Sequence, residues 1–314
     1  AMHMLDAGQR VVAIERGPWR DTAADFSPAV QADELRFAIR KDLFLRPQEE
    51  AMTFRNKPSD TALPLRQYIS FLPGVGVGGA GVHWNGQTWR FLPTDFVVRS
   101  HLEQRYGKEF LPPDMTIQDW GVTYDELEPH YDAYEKLCGT SGKAGNLNGT
   151  LQDGGNPYEG WRSSEYPTPP LTNTLTPTLF ADAARQLGYK PFPQPASNLS
   201  QAYVNPYGIR MGQCSYCGYC ERFGCGNYAK ASPQTCILPA LVLRPNFEAR
   251  TRCEVLKIET DSAGKTATGV TYIDEFGEEL FQPASMVLLC AFSMFNVRLL
   301  LLSGIGTPYD YTTG

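Results

Sequence analysis

The chain has 314 residues, 28 Lys and Arg against 34 Asp and Glu (net charge −6), and a hydrophobic fraction of 42%. These values describe a globular protein able to bury a sizeable core, in two domains or one elaborated domain. No basic run gives nucleic acid a footing, and the longest apolar runs, 286–292 and 299–302, are too short to cross a bilayer.

In chain order, residues 2–7 read as the end of a helix with Gly8 as its C-cap, and 10–14 as a short buried strand followed by Glu15, Arg16 and Gly17. A buried strand ending in an acid suits the second strand of a dinucleotide-binding βαβ unit, whose carboxylate holds the adenosine ribose hydroxyls. An ordinary strand that ends in Glu is the alternative. The glycine turn of such a unit lies about 20 residues before the acid, which places the expected fingerprint upstream of residue 1. An amphipathic helix is expected over 32–43. Residues 74–86 then read GVGVGGAGVHWNG, with five glycines in eight positions. Gly74, Gly76 and Gly79 fit GxGxxG in form, but His83 and Trp84 follow where a helix should start. The reading is a loop pressed against a large planar ligand, not a phosphate turn.

Residues 95–136 look mainly helical, with Thr123 and Glu126 spaced as a capping box. Residues 139–175 are rich in Gly, Asn, Pro and Ser and read as a long ordered excursion. A helix is expected over 177–187, with Thr176 as N-cap and Pro177 at its first position. Strands over 247–250, 254–259, 267–273 and 278–281 form a β-meander that feeds an apolar strand at 286–289. A helix over 296–302 closes the series at Ser303-Gly304-Ile305-Gly306.

The most specific chemistry lies in QCSYCGYCERFGC, where Cys214, Cys217, Cys220 and Cys225 follow the spacing C-x2-C-x2-C-x4-C. A compact loop of thiolates is what an iron–sulfur cluster requires. Zinc is the first alternative, although zinc sites usually pair two separated arms; disulfides or free thiols are the second. Tyr216 and Tyr219 are placed to shield the sulfurs. Cys138, Cys236, Cys253 and Cys290 are scattered and read as buried apolar side chains.

Together these residues resemble the glucose–methanol–choline (GMC) flavoprotein oxidoreductases. VVAIERG (11–17) is similar to their second FAD-domain strand, VGGAGVHWNG (77–86) to their first signature, and RLLLLSGIG (298–306) to the end of their second. CEVLKI (253–258) is similar to the strand whose valine, here Val255, lies against adenine. GVGGAGVHWNGQTWRFLP with the cysteine loop resembles one branch, the membrane-bound gluconate, fructose and sorbitol dehydrogenases.

The resemblance implies a mixed α/β (α+β) fold: a Rossmann-type FAD-binding domain (1–30, 66–95 and 235–314) with an inserted substrate or cap domain (95–235) that carries the cysteine loop. It implies FAD held by Glu15, Arg16, Gly78, Gly79, Gly81, His83, Trp84, Asn85, Gly86 and Val255, joined covalently through His83, with Asn85 near the reacting edge. A hydrogen bond from His83 within the loop, and a simple Asn85-Gly86 turn, are the plainer readings. It favours a [3Fe–4S] cluster over [4Fe–4S], with Cys217 as the spectator among the four cysteines. The implied activity is oxidation of a sugar or sugar acid, with electrons passed through the cluster to a multihaem cytochrome c subunit and ubiquinone. A small companion subunit and the periplasmic face of the bacterial inner membrane complete the picture. An oxygen-using oxidase of the same family is the rival reading. The family's catalytic His–His or His–Asn pair is expected beyond residue 314, so the chain is expected to be an internal portion of a longer subunit.

Overall fold

The computed structural model describes residues 1–26, 43–46, 53–55, 59–64, 72–113 and 115–308; nearly all of the helix expected over 32–43 lies outside them. The chain divides into two compact units, one of residues 1–25, 32–82 and 240–314, the other of 26–31 and 83–239.

In the first unit, helix Met2–Asp6 stops before Gly8, whose φ of +77° reverses the chain into the strand β1, Val11–Ile14. β1 lies parallel to β2, Phe247–Arg250, with Val11 opposite Phe247 and Ile14 opposite Arg250. The expected meander is thus shorter by one strand. β2 leaves it for β1, and the antiparallel sheet has the order β5-β4-β3, formed by β3 (Glu254–Thr260), β4 (Ala267–Ile273) and β5 (Glu279–Pro283). Helix Ser293–Leu302 packs on β3, where the Ile258 N–H donates to Ser303 Oγ at 2.9 Å. It begins three residues before the expected start, because Asn296 caps the preceding turn by accepting from the Ala291 N–H. The expected strand at 286–289 is absent. Its residues pair with no strand among the described residues, and Met286 and Leu288 are about 60% exposed (61% and 60%). Cys290 is also exposed, unlike the buried Cys138, Cys236 and Cys253.

In the second unit, Thr123 opens helix Tyr124–Cys138 with the capping box its spacing predicts. Thr123 Oγ1 accepts from the Glu126 N–H, and the Thr123 N–H donates to the Glu126 carboxylate at 2.8 Å. The helical stretch expected over 95–136 is broken. Helix Val98–Tyr106 ends at Gly107 (φ +90°), and Pro112 and Pro113 keep the following chain from resuming it. Helix Leu175–Gln186 starts two residues before the expected position, with Thr174 at its N-cap. Pro177 then falls in the first turn, where amide groups have no helical acceptor to lose. Cys138, Leu199, Met211, Ala231 and Cys236 form the core, with Leu137, Tyr203, Ile209 and Ile237 against it.

Beside that core lies a buried charge network. The Glu135 carboxylate takes a two-pronged contact from Arg90 (2.9 and 2.8 Å) and another from Arg162, which is fully buried. Arg90 also reaches Glu128 at 3.0 Å and Tyr124 Oη at 3.3 Å, and Glu128 accepts from the Ser163 N–H and hydroxyl. Burial alone would ease the proton off Arg90, but the Glu135 hydrogen bond and charge outweigh it and hold the guanidinium above its ordinary pKa.

Candidate functional site

The residues expected to meet FAD fall in both units. In the first, Glu15 ends β1 and turns one carboxylate oxygen back to accept from the Gly17 N–H at 2.7 Å. Its main chain continues the β2 pairing, and the Cys253 and Arg252 amides donate to the Glu15 and Gly17 carbonyls, each at 3.0 Å. Val255, half-buried on β3, is therefore only two residues from a bond to the acid. Arg16 stacks over Phe295, 5.5 Å from the ring centroid.

Gly17, given no role from the sequence, is the residue on which the glycine loop rests. A Cβ at Gly17 would overlap the Gly76 backbone and stand 2.8 Å from the Val75 carbonyl carbon. The Val77 N–H donates to the Pro18 carbonyl at 3.0 Å, fixing the same approach. The signal was present in the Glu-Arg-Gly at the strand end, but what the glycine meets lies some sixty residues on. Beyond that contact, Gly78, Gly79 and Gly81 make a single tight turn, Gly79–Val82, and no α-helix. A Cβ at Gly79 would meet nothing within 4 Å, so the turn offers bare backbone to open space. That surface, with an acid at the strand end, fits FAD.

In the second unit, the carbonyls of four consecutive residues, His83 to Gly86, are each secured by a donor from a distant segment. The Arg222 N–H reaches His83 O at 2.7 Å, Lys230 Nζ reaches Trp84 O at 2.6 Å, Asn198 Nδ2 reaches Asn85 O at 3.2 Å, and the Ser197 N–H reaches Gly86 O at 2.7 Å. Trp84 returns a bond from its indole N–H to Ala231 O at 3.0 Å. Asn85 Oδ1 accepts from the Gln87 N–H, so its side chain serves the turn that the plainer reading described. Gly86 is required twice over: its φ is +90°, and a Cβ there would overlap Asn198 Oδ1.

His83 is 5% exposed. Burial, and then the Lys230 charge, push its pKa down to about 4, so the imidazole is neutral at physiological pH. The sign of the linked effect follows. The unfolded histidine takes up a proton near pH 6.5 and the folded one near 4, so stability falls as pH drops between those values, by about 3 kcal/mol. Denaturant midpoints of the flavin-free parent and His83→Gln, compared from pH 7 to 4, should converge toward acid. Parallel profiles would refute this.

The cysteine loop turns sharply. Tyr216 (φ +54°), Arg222 (φ +68°) and Tyr228 (φ +55°) all adopt left-handed backbone that non-glycine residues avoid, at a cost of about 1–3 kcal/mol each. Such strain collects where a loop is held for function. Cys214, Cys220 and Cys225 are half-buried and Cys217 is exposed. Burial, above all, raises the Cys214 and Cys220 thiol pKa values, and the neighbouring thiols of the loop push the same way. Four thiols in one field are the donor chemistry of an iron–sulfur centre. They do not converge here: among the described residues no three His, Cys, Asp or Glu side chains are grouped to hold a metal ion. The expected shielding by Tyr216 is also not seen, since its ring is 45% exposed and its hydroxyl accepts from the Thr172 N–H.

Residues 172–310 match the GMC oxidoreductase family, and the chain belongs to it; membership implies FAD as cofactor. Over its whole length the chain is 48% identical to the gluconate 2-dehydrogenase flavoprotein of Pantoea cypripedii, of which it covers 51%. It is 26% identical to the paromamine 6'-oxidase of Streptomyces fradiae over 73% of this chain and 37% of that protein. It is 30% identical to the fructose dehydrogenase large subunit of Gluconobacter japonicus over 41% of this chain and 20% of that one. The chain spans about half or less of the length of these curated relatives. Among the described residues, no helix is long and apolar enough to cross a membrane.

Proposed function

We propose that the chain is part of an FAD-dependent dehydrogenase that oxidises a CH–OH group of a sugar or sugar acid, with gluconate as the first candidate. The observation that carries this reading is the joining of His83–Asn85 to the cysteine loop: the Arg222 N–H bonds His83 O directly, Lys230 bridges Trp84 O to the Cys220 and Phe223 carbonyls, and Asn198 bridges Asn85 O to Cys220 Sγ. A segment of the flavin signature and a set of iron–sulfur donors are thereby built as one piece, an arrangement with little purpose if oxygen takes the electrons directly. The full-length similarity to a gluconate 2-dehydrogenase flavoprotein supports it.

FAD, when bound, supplies the acceptor for the substrate hydride, and an iron–sulfur cluster supplies one-electron transfer onward. The chain's own residues do the holding. The first unit is the FAD-binding part: Glu15 offers its carboxylate to the ribose, Val255 lines the adenine side, and Gly78, Gly79 and Gly81 admit the ring at backbone distance. The neutral His83 imidazole is the point of covalent attachment, and Trp84 and Asn85 lie along the ring. Cys214, Cys220 and Cys225 would hold the cluster once the loop draws their thiols together, with Cys217 as the spare thiol of a [3Fe–4S] centre. By the same reading, the partners are a multihaem cytochrome c subunit that feeds ubiquinone and a small companion subunit, at the periplasmic face of the bacterial inner membrane.

An absorption spectrum of the native complex, taken oxidised and then with gluconate, tests the whole path. The expected result is flavin absorbance that bleaches over a broad iron–sulfur shoulder while c-type haem bands sharpen. Bleaching by fructose or sorbitol alone would move the substrate. A spectrum without iron–sulfur absorbance would overturn the electron path.

A further inference from the structure

Lys230 is 1% exposed. Lysine is almost never buried to that degree unless its charge is answered. Here its three donors are all used on main-chain carbonyls: Trp84 O at 2.6 Å, Phe223 O at 2.7 Å and Cys220 O at 2.8 Å. Two of these carbonyls belong to the cysteine loop, and the third to the His83–Gly86 segment, well over a hundred residues earlier. Bonds from an ammonium are short and about twice as strong as neutral ones. A guanidinium, with its donors fixed in a plane, could not gather three carbonyls onto one nitrogen.

The surrounding contacts follow the same division. Asn198 Nδ2 is shared between Asn85 O and Cys220 Sγ, both at 3.2 Å. The Arg222 amide bonds to His83 O at 2.7 Å. Among the described residues Lys230 is the one side chain that grips both segments by main chain alone, so its hold does not depend on what the thiols bind.

We propose that Lys230 is a positioning residue that fixes the cysteine loop to the His83–Gly86 segment, holding constant the separation between what each carries. Resting on the flavin and iron–sulfur reading above, it makes Lys230 the part that sets the distance for electron transfer. While protonated, below the pH of about 8 to which burial lowers its pKa, the ammonium also sets a positive charge beside both groups, which favours their reduced forms.

The test uses the full-length protein in its native complex, with Lys230→Met to remove the charge and the bonds and Lys230→Gln to keep part of the bonding. Hydrogen–deuterium exchange of the amides in 83–88 and 214–225 should rise together in Lys230→Met, by roughly tenfold or more. Helix Tyr124–Cys138 should keep its parent protection. The midpoint potential of the iron–sulfur signal should fall in the same variant. Lys230→Gln should give a smaller rise in the same two segments, and it carries the test if the methionine variant does not fold. Loosening of one segment alone, loosening spread through helix Tyr124–Cys138, or an unchanged potential would each overturn the proposal. Iron measured in the parent separates the two ideas: joint loosening in a parent that holds flavin and no iron would uphold the tether and sink the cluster assignment.

Discussion

Glu135→Ala is expected to destabilise the second unit by about 3–5 kcal/mol, the cost of breaking a buried ion pair from one side. The reason is a count of charges. Arg90 and Arg162 are faced by Glu128, Glu135 and, at 3.9 Å from Arg162, Glu159, and among the described residues Glu135 alone touches both cations. Its removal leaves Arg162, with no exposed surface, facing a lost partner, and Arg90 without its two-pronged contact. With a urea m-value of about 2 kcal/mol/M, the midpoint should move by roughly 2 M. Arg90 also ends the stretch that begins at His83, so the variant should lose protection there as well. Adding Arg90→Met to Glu135→Leu should recover part of the loss, because an apolar pair leaves fewer buried charges unanswered. A shift below about 0.5 kcal/mol in Glu135→Ala, the size of an ordinary surface change, would mean that the network is solvated and structurally idle.

Gly17→Ala is expected to strip flavin from the full-length protein while leaving the second unit folded. The added methyl has nowhere to go, since its nearest neighbours are backbone atoms of Val75 and Gly76 and not the tip of a movable side chain. Either the glycine loop lifts from the end of β1 or β1 itself shifts, and both movements separate Glu15 from the bare turn at Gly79. Overpacking of this kind costs about 1–3 kcal/mol, which converts to roughly a fivefold to hundredfold loss of flavin affinity before any covalent bond forms. Flavin absorbance per chain, measured before and after adding excess FAD, reads the effect. An alanine variant that retains the parent's flavin would show that the cofactor does not lie against this loop.

What could be read from the sequence was mostly local. The Thr123–Glu126 capping box and the reversal at Gly8 depend on residues a few positions apart, and those interactions write themselves into short patterns. The cysteine spacing and the glycine run stood out for the same reason. Partnership over distance was not legible. Alternation marked 247–250 as a strand but could not say that it pairs with β1 instead of with its neighbour in sequence. The apolar run at 286–289 met the rule for a buried strand, yet the rule presumes a covering neighbour. Nothing in the sequence marks Lys230 or Arg162 as buried, because the groups that compensate their burial lie far away along the chain. Gly17 belongs with them: its smallness matters only through a loop that packs against it.

The parallel pairing of β1 with β2 bears on how the protein is made. On the ribosome β1 emerges well before its partner Phe247–Arg250, which follows only after all of 83–239 has been synthesised. Throughout that interval β1 has an unmatched edge, the kind of surface that invites wrong pairing or a chaperone. The second unit has its own core and can collapse in the meantime. Once it has done so, the free chain that β1 and β2 must close is much shorter than the sequence between them, and the entropy of closure falls accordingly. The order of synthesis thus makes the inserted unit a folding aid for the sheet that brackets it.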